Sequence, residues 1–200
     1  PDLQWSYADR LRKSANGKEA LYWYQQAAEG GQFECWYAVG EEYMAGKVVP
    51  KDVNHAVECY EKALKQIKNT VPKLAAAAKL GWIYCDGVGI AQDGEKAFPL
   101  LKLAAENGEN DRIAWLGKCY FRGWGTAPDY VKARECFEKA KFYDQEVNYM
   151  HGVIYTQDLG VAEDIGKGVK MLKNAEATIP EAKEELAKYK KRLFGKWVRK

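Results

Sequence analysis

Few residues of this chain could exchange protons near neutral pH. His55 and His151 are the only two histidines, and imidazole is the side chain best suited to general acid–base work at that pH. A hydrolase would combine such a residue with a serine or cysteine nucleophile, and no such set stands in a recognised motif here. We therefore predict that His55 lies at the exposed start of a helix and that His151 occupies a core position.

Five cysteines are the other reactive side chains. An odd number cannot pair completely within one chain, and no two of them form a C-x-x-C motif. Buried, reduced thiols are the simpler interpretation, ahead of disulfides or a metal site. The cysteines are Cys35, Cys59, Cys85, Cys119 and Cys136.

Two glycine pairs, Gly87-Val-Gly89 and Gly123-Trp-Gly125, resemble phosphate-binding loops. Each pair follows a predicted helix rather than a strand, and each lacks the Gly-Lys-Ser/Thr ending of a P-loop. We therefore interpret both pairs as turns that end a helix.

The composition is that of an ordinary folded protein. The chain has 200 residues, of which 47% are hydrophobic and 30% charged, unlike a disordered chain or a disulfide-rich miniprotein. No apolar run approaches the roughly 18 residues that cross a bilayer. The 31 basic and 28 acidic residues give a net charge of +3, which is too balanced to indicate a nucleic-acid-binding protein.

The strongest signal in the sequence is an internal repeat. Gly40, Gly81, Gly117 and Gly152 are 41, 36 and 35 residues apart, and similar residue types recur at fixed offsets from them. A tyrosine stands at +3, an aspartate at +12, a large residue at +20 and an alanine at +23. The tyrosines are Tyr43, Tyr84, Tyr120 and Tyr155; the aspartates are Asp52, Asp93, Asp129 and Asp164; the large residues are Tyr60, Leu101, Phe137 and Leu172. The same offsets counted from Gln4 define an N-terminal fifth copy without the glycine.

Each repeat is predicted to be a helical hairpin. Positions −1, 0 and +3 share a face at helical spacing, and so do positions +16, +20 and +23. Small residues at 0, +16 and +23 let two helices approach, while the bulky residues at +3 and +20 fill the space between neighbouring helices. The aspartate at +12 suits the N-cap of the second helix. Because a lone hairpin cannot cover its apolar face, the sequence predicts an all-α, right-handed solenoid of stacked hairpins.

We expect five repeats over residues 1–179, followed by a C-terminal cap. The expected boundaries are 1–31, 32–72, 73–108, 109–143 and 144–179. Residues 180–200 depart from the repeat, and apolar residues at Ala182, Leu186, Tyr189 and Leu193 predict an amphipathic capping helix over 181–193. A basic tail completes this segment.

The run from Lys79 to Ala97, KLGWIYCDGVGIAQDGEKA, followed by LLKLAAENG at 100–108, resembles the Sel1-like repeat, a relative of the tetratricopeptide repeat. Residues 116–120, 123–125 and 129–133 give a second good match, and the resemblance extends over nearly the whole chain. It implies binding rather than chemistry, because members of this family act as adaptors in signalling, in membrane-protein quality control and in bacterial host-interaction or secretion-linked complexes. Some bacterial members carry a regular cysteine pair in each repeat, and this chain lacks that pattern.

In a tetratricopeptide-like stack, positions −3, +1 and +4 of each first helix face the concave groove. We predict that six large side chains there anchor a peptide or helix from a protein partner, and that Glu41 and Lys118 set its orientation. The anchors are Trp5, Tyr37, Met44, Trp82, Phe121 and Tyr149. The alternative is that these side chains only complete the packing between adjacent helices.

Residues 188–200 carry seven basic side chains and no acidic one. We interpret them as the solvated end of the capping helix, where positive charge complements the helix dipole; contact with a membrane surface or nucleic acid is the alternative. The partners predicted for the chain are therefore protein or peptide, with no nucleic acid and no membrane span.

The sequence thus predicts a non-catalytic scaffold or adaptor without cofactor or metal. A bacterial immunity or secretion-linked accessory protein stays open as an alternative, as does an enzyme or small-ligand binder that uses the same concavity. We expect a cytoplasmic location. Because the chain starts at Pro1 rather than Met, a removed signal peptide also stays open.

Overall fold

The computed structural model describes residues 16–65, 70–109, 112–140, 144–160, 162–191 and 196–200. The chain divides into two compact units, 1–109 and 110–200. Within the described residues, ten helices and two short strands are present. Trp5, one of the predicted anchors, lies outside the described residues.

Helical hairpins make up both units. In the N-terminal unit the helices are α1 (Gly17–Glu29), α2 (Glu34–Ala45), α3 (Val53–Ala63), α4 (Val71–Asp86) and α5 (Gly94–Glu106). In the C-terminal unit they are α6 (Ile113–Arg122), α7 (Tyr130–Lys139), α8 (Gln145–Thr156), α9 (Ile165–Ala175) and α10 (Pro180–Leu186), followed by strands β1 (Tyr189–Lys191) and β2 (Trp197–Arg199). The pairs α2/α3, α4/α5, α6/α7 and α8/α9 are the predicted hairpins of repeats 2 to 5, and the two helices of each pair pack together.

In repeats 2 to 5 the glycine at position 0 lies directly beneath the large side chain at position +20. A Cβ atom on Gly117 would come within 2.5 Å of the Phe137 ring, and one on Gly81 would come within 2.5 Å of the Leu101 side chain. These distances are far below van der Waals contact, so only a hydrogen atom fits at position 0. The same holds for Gly40 with the ring of Tyr60 and for Gly152 with Leu172.

Repeat 5 brings its two helices together through a second glycine, Gly168. The other repeats have alanine at this position, +16. A Cβ on Gly168 would lie 2.4 Å from Cγ2 of Thr156 and 2.8 Å from the carbonyl oxygen of Gly152. Gly168 therefore makes room for the Thr156 methyl group and for a close approach of the two backbones.

The turn between the two helices of a repeat also repeats its geometry. Gly46, Gly87 and Gly123 end their helices with φ values of 65°, 67° and 72°, a conformation that favours glycine. In repeat 5 the equivalent residue is Asp158, with φ of 55°. The interpretation of the glycine pairs as turns is thus confirmed.

Aspartate at +12 caps the second helix in each of repeats 2 to 5. The Asp52, Asp93, Asp129 and Asp164 carboxylates accept a hydrogen bond from the backbone N–H three residues later, at 2.9 to 3.0 Å. The aspartate's own N–H donates to the carbonyl oxygen of the +3 tyrosine, at 2.8 to 3.1 Å. This bond ties the second helix back to the end of the first, and the capping prediction is confirmed.

The C-terminal segment differs from the prediction. Helix α10 ends at Leu186 instead of continuing to Leu193, and β1 pairs with β2 in an antiparallel hairpin, with Tyr189 opposite Arg199. Tyr189 is buried, and its hydroxyl donates to the Thr156 carbonyl oxygen at 3.1 Å and lies 3.0 Å from Glu185 Oε1. This anchor on α8, together with the strand preference of tyrosine, tryptophan and valine, overrides the helical spacing of the apolar residues.

Candidate functional site

Contact between the first helices of adjacent repeats creates the surface that was predicted to bind a partner. In the N-terminal unit α2 contacts α4, and in the C-terminal unit α6 contacts α8. Each pair of helices presents its own face. The two faces differ in how many of their side chains are buried or paired with other residues of the protein.

On the α2–α4 face, defined here by Tyr37, Glu41, Met44, Lys79 and Trp82, an ion pair joins the two helices. Lys79 Nζ lies 3.1 Å from each carboxylate oxygen of Glu41. The Lys79 and Glu41 side chains keep 23% and 34% of their surface exposed. This ion pair is therefore partly exposed to solvent.

A buried tyrosine lies beneath Glu41. The Tyr60 hydroxyl donates to Glu41 Oε1 at 2.5 Å, and the Tyr37 ring lies 5.9 Å from the Tyr60 ring, between centroids. Burial, and then the hydrogen bond to the carboxylate, raise the pKa of Tyr60 well above its usual range. Tyr60 therefore stays protonated, and it fixes the position of the Glu41 carboxylate.

Trp82 and Met44 are half-buried. Each stands three residues after a member of the ion pair on its own helix, Met44 after Glu41 and Trp82 after Lys79. The Trp82 indole Nε1 donates to Asp86 Oδ2, one turn further along α4, at 3.1 Å. This bond restrains the indole, so that a partner would find a preformed aromatic surface.

On the face of α6 and α8, Lys118 has an internal role. Only 3% of its side chain is exposed, and Nζ lies 2.8 Å from Asp144 Oδ2 and 2.7 Å from Glu146 Oε2. Glu146 also pairs with Arg122. The Lys118 charge thus joins α6 to the start of α8, which leaves it almost no surface for contact with a partner.

Phe121 and Tyr149 contribute to the core of the C-terminal unit. Both are half-buried and pack against the two apolar clusters of this unit, and the Phe121 ring meets the Tyr130 ring edge-on at 5.4 Å. Burial, with a smaller effect from the negative charges of Glu181 and Glu185, raises the pKa of Tyr149. For these two residues the geometry matches the packing alternative.

A recurrent basic residue at +15 was missed. Lys96, Lys132 and Lys167 place their ammonium groups 5.2, 5.5 and 4.0 Å from the ring centroids of the +3 tyrosines in their own repeats. In repeat 2 the residue is His55, whose ring centroid lies 4.2 Å from that of Tyr43. The signal was present in the sequence, because +15 is lysine or histidine in repeats 2 to 5. The contact joins the second helix of each hairpin to the first.

Adjacent repeats are also joined by a hydrogen bond from the +3 tyrosine. Tyr84 donates to Glu61 Oε1 at 3.1 Å, and Tyr155 donates to Glu138 Oε1 at 2.6 Å. In each case the glutamate stands at +21 of the preceding repeat. Each of these two tyrosines therefore connects its repeat to the one before it.

The thiol side chains of the cysteines are shielded from solvent. All five cysteines lie in the described part of the chain, are buried and form no disulfide. Burial raises the pKa of Cys35 and Cys136 to about 12 and that of Cys59 to about 11, so these thiols are not ionised at neutral pH. The burial of the five cysteines agrees with the prediction, and their reduced state stays a prediction.

His151 lies in the core, as predicted, with 1% of its surface exposed. Its ring centroid is 5.5 Å from that of Phe137 and 5.1 Å from that of Tyr155. Burial, and then the charge of Lys167, lower the pKa of His151 to about 4. The side chain is therefore neutral at physiological pH.

The described residues contain no group of three or more histidine, cysteine or acidic side chains placed to hold a metal ion. None of the helices in the described ranges is long and apolar enough to cross a membrane.

Comparison with known proteins identifies the repeats. The Sel1 repeat family model matches residues 7–32, 35–66, 74–109, 113–141 and 145–176. The chain belongs to the Sel1 repeat family. The predicted fold class, an all-α repeat solenoid, is confirmed by this match and by solved Sel1 repeat structures. Sel1 repeat proteins generally act as protein-interaction scaffolds and are generally non-catalytic.

Two solved structures illustrate the relationship. A Sel1 repeat protein from Oxalobacter formigenes is 25% identical, with a TM-score of 0.64, over 92% of this chain and 74% of its own. A protective antigen with an SLR fold, from uropathogenic Escherichia coli strains, is 29% identical with a TM-score of 0.64 over 92% of this chain. The match covers 40% of the antigen, so this Sel1 repeat chain spans less than half of that protein's length.

Proposed function

We propose that this chain is a non-catalytic protein-interaction module and that the α2–α4 face binds a peptide or helix of the partner. The observation that carries the proposal is the partly exposed Glu41–Lys79 ion pair beside half-buried Tyr37, Met44 and Trp82. Aromatic and methionine side chains supply much of the binding energy at protein interfaces, and a fixed charge pair gives direction to the bound segment.

The α2–α4 face is the better candidate of the two first-helix faces. In the C-terminal unit, Lys118 is buried by two carboxylates and Phe121 and Tyr149 pack into apolar clusters. Replacing those side chains would damage the core itself. Tyr37, Met44 and Trp82 retain surface that a partner could cover.

A cytoplasmic location is part of this proposal. Its support is the set of five buried cysteines without a disulfide, which suits a reducing compartment.

Affinity capture with a designed pair of variants tests the proposal. The intact chain and the double variant Tyr37→Ala/Trp82→Ala would be used to capture proteins from the native cell, followed by titration of the partner found. The loss of two anchor side chains, at about 1 kcal/mol or more each, is expected to weaken binding by at least about 30-fold.

The matched control is Tyr22→Ala. It removes an aromatic ring that is 53% exposed and lies on α1, the second helix of repeat 1. Both variants would be checked for unchanged helicity by circular dichroism. Equal affinity of a folded double variant and the control for the same partner would reject the α2–α4 face.

A further inference from the structure

The described basic residues near the C-terminus are not on a helix. Residues 188–200 hold seven of the 31 basic residues of the chain and none of the 28 acidic ones, so the preceding residues have 24 basic against 28 acidic side chains. Complementing the dipole of a capping helix cannot explain this concentration, because α10 ends at Leu186 and the basic residues continue along β1 and β2. The charge therefore needs another explanation.

The hairpin buries one aromatic side chain and carries exposed lysines on both of its faces. Tyr189 is buried and hydrogen-bonded to Thr156, and successive strand residues point to opposite faces. Lys190, Lys191, Lys196 and Lys200 are all exposed. The hairpin thus displays four exposed ammonium groups between residues 190 and 200.

Ion pairs within the protein account for only part of this charge. Lys188 pairs with Glu185 at 2.6 Å, and Arg199 donates to the Thr156 carbonyl oxygen at 2.8 Å and lies 3.4 Å from Glu163. In contrast, no ion pair or side-chain hydrogen bond to Lys190, Lys191, Lys196 or Lys200 is formed within the described ranges. Asp164, which shares a surface cleft with Lys196, is engaged in capping α9.

The type of residue indicates the type of partner. Lysine is depleted at protein–protein interfaces, whereas exposed lysines supply most of the sequence-independent affinity for the phosphates of nucleic acids. A bilayer surface would also attract lysines, and apolar side chains that insert strengthen adsorption there. The described apolar residues of the hairpin offer little surface for insertion, because Tyr189 is buried and Trp197 and Val198 are half-buried, with Lys173 Nζ 4.8 Å from the Trp197 ring.

We propose that the β1–β2 hairpin binds the phosphodiester backbone of a nucleic acid through Lys190, Lys191, Lys196 and Lys200. Binding is electrostatic and independent of base sequence, and it uses none of the residues of the α2–α4 face. The proposal therefore stands or falls separately from the protein-interaction function.

The test measures binding of the full chain to a fluorescent duplex DNA of mixed sequence, by anisotropy, at salt concentrations from about 50 to 200 mM. Four lysine–phosphate contacts give a slope of log K against log salt of about −3.6, which is a loss of about a hundredfold across this range. Absence of measurable binding at the lowest salt concentration would overturn the proposal.

Two charge-matched double variants make the test specific. Lys190→Gln/Lys196→Gln is expected to reduce the steepness of the slope by about 2, whereas Lys47→Gln/Lys65→Gln, which changes two exposed lysines of the N-terminal unit, leaves it unchanged. Equal slopes for the two variants would refute the assignment to the hairpin. So would binding to phosphatidylserine vesicles, or to a polyglutamate peptide, that duplex DNA fails to compete away.

Discussion

Gly168 provides the sharpest test of how the helices of repeat 5 pack. Alanine at this position would restore the residue found in the other repeats and would improve helix propensity by about 1 kcal/mol. Its Cβ, however, would lie 2.4 Å from Cγ2 of Thr156 and 2.8 Å from the Gly152 carbonyl oxygen. The backbone oxygen cannot rotate away, so α8 and α9 would have to separate.

We expect Gly168→Ala to be destabilising despite its better propensity. Overpacking costs about 1–3 kcal/mol, and a cost of about 2 kcal/mol less the helical gain leaves a net loss of about 1 kcal/mol. For a chain of this size that corresponds to a fall in Tm of about 2–4 °C. The measurement is thermal and urea unfolding followed by circular dichroism.

Gly166→Ala is the matched control, because it lies two residues away on α9 and the nearest atom to its Cβ is Asp164 Oδ1 at 3.5 Å. It is expected to raise stability by up to about 1 kcal/mol. Thr156→Ser removes the methyl group that Gly168→Ala would strike, so the double variant should show favourable coupling. If Gly168→Ala stabilises the protein as much as Gly166→Ala does, the close-approach argument is wrong.

Three further substitutions test other features. The pKa of His151 is lower in the folded chain than in the unfolded chain, so its contribution to stability is full above pH 6.5 and falls as the unfolded chain takes up a proton. The unsubstituted protein should therefore lose up to about 3 kcal/mol of stability between pH 6.5 and about 4, and His151→Leu should flatten this loss. An unchanged profile of the urea midpoint against pH would contradict this. Asp129→Ala should lower the free energy of unfolding by about 1 kcal/mol, because the α7 cap is lost. The hydrogen bond from the Lys132 backbone N–H holds the pKa of Asp129 below its usual 3.8. The difference in unfolding free energy between this variant and the unsubstituted protein should therefore shrink as pH falls below that value. Asp158→Gly should raise Tm slightly, by relieving left-handed backbone at φ of 55°, whereas Asp158→Ala should not.

The repeat itself was predictable from the sequence because each of its rules recurs. Gly117 with Phe137, and Asp129 with the start of α7, are local relationships that appear in repeats 2 to 5. An offset that holds in several copies indicates a packing constraint even when one copy alone would not. The same reasoning could have identified the basic residue at +15.

The fate of the candidate site residues depended on contacts outside the repeat pattern. Lys118 is buried because Asp144 and Glu146 of the next repeat meet it, and neither acidic residue was part of the recurring set. Helical spacing places Lys118 on the face that was predicted to line the groove. It gives no information on the acidic residues of the next repeat that contact Lys118. Glu41 shares that position in its repeat, yet its ion pair with Lys79 stays partly exposed.

The C-terminal hairpin could not be predicted because it occurs once. Its helical spacing of apolar residues competed with the strand preference of its aromatic residues, and no second copy was present to decide between them. The bond from Tyr189 to Thr156, which is 33 residues away, decides the outcome. Such a distant contact leaves no periodic trace in the sequence.

The glycine beneath the +20 side chain of repeats 2 to 5 also affects how such a chain can evolve. Since a hydrogen atom is all that meets the opposing residue, tyrosine, leucine and phenylalanine have each been accepted there. A newly duplicated hairpin could therefore drift in size on one side without a compensating change on the other. In repeats 2 to 5, the size of the +20 side chain varies while position 0 stays glycine.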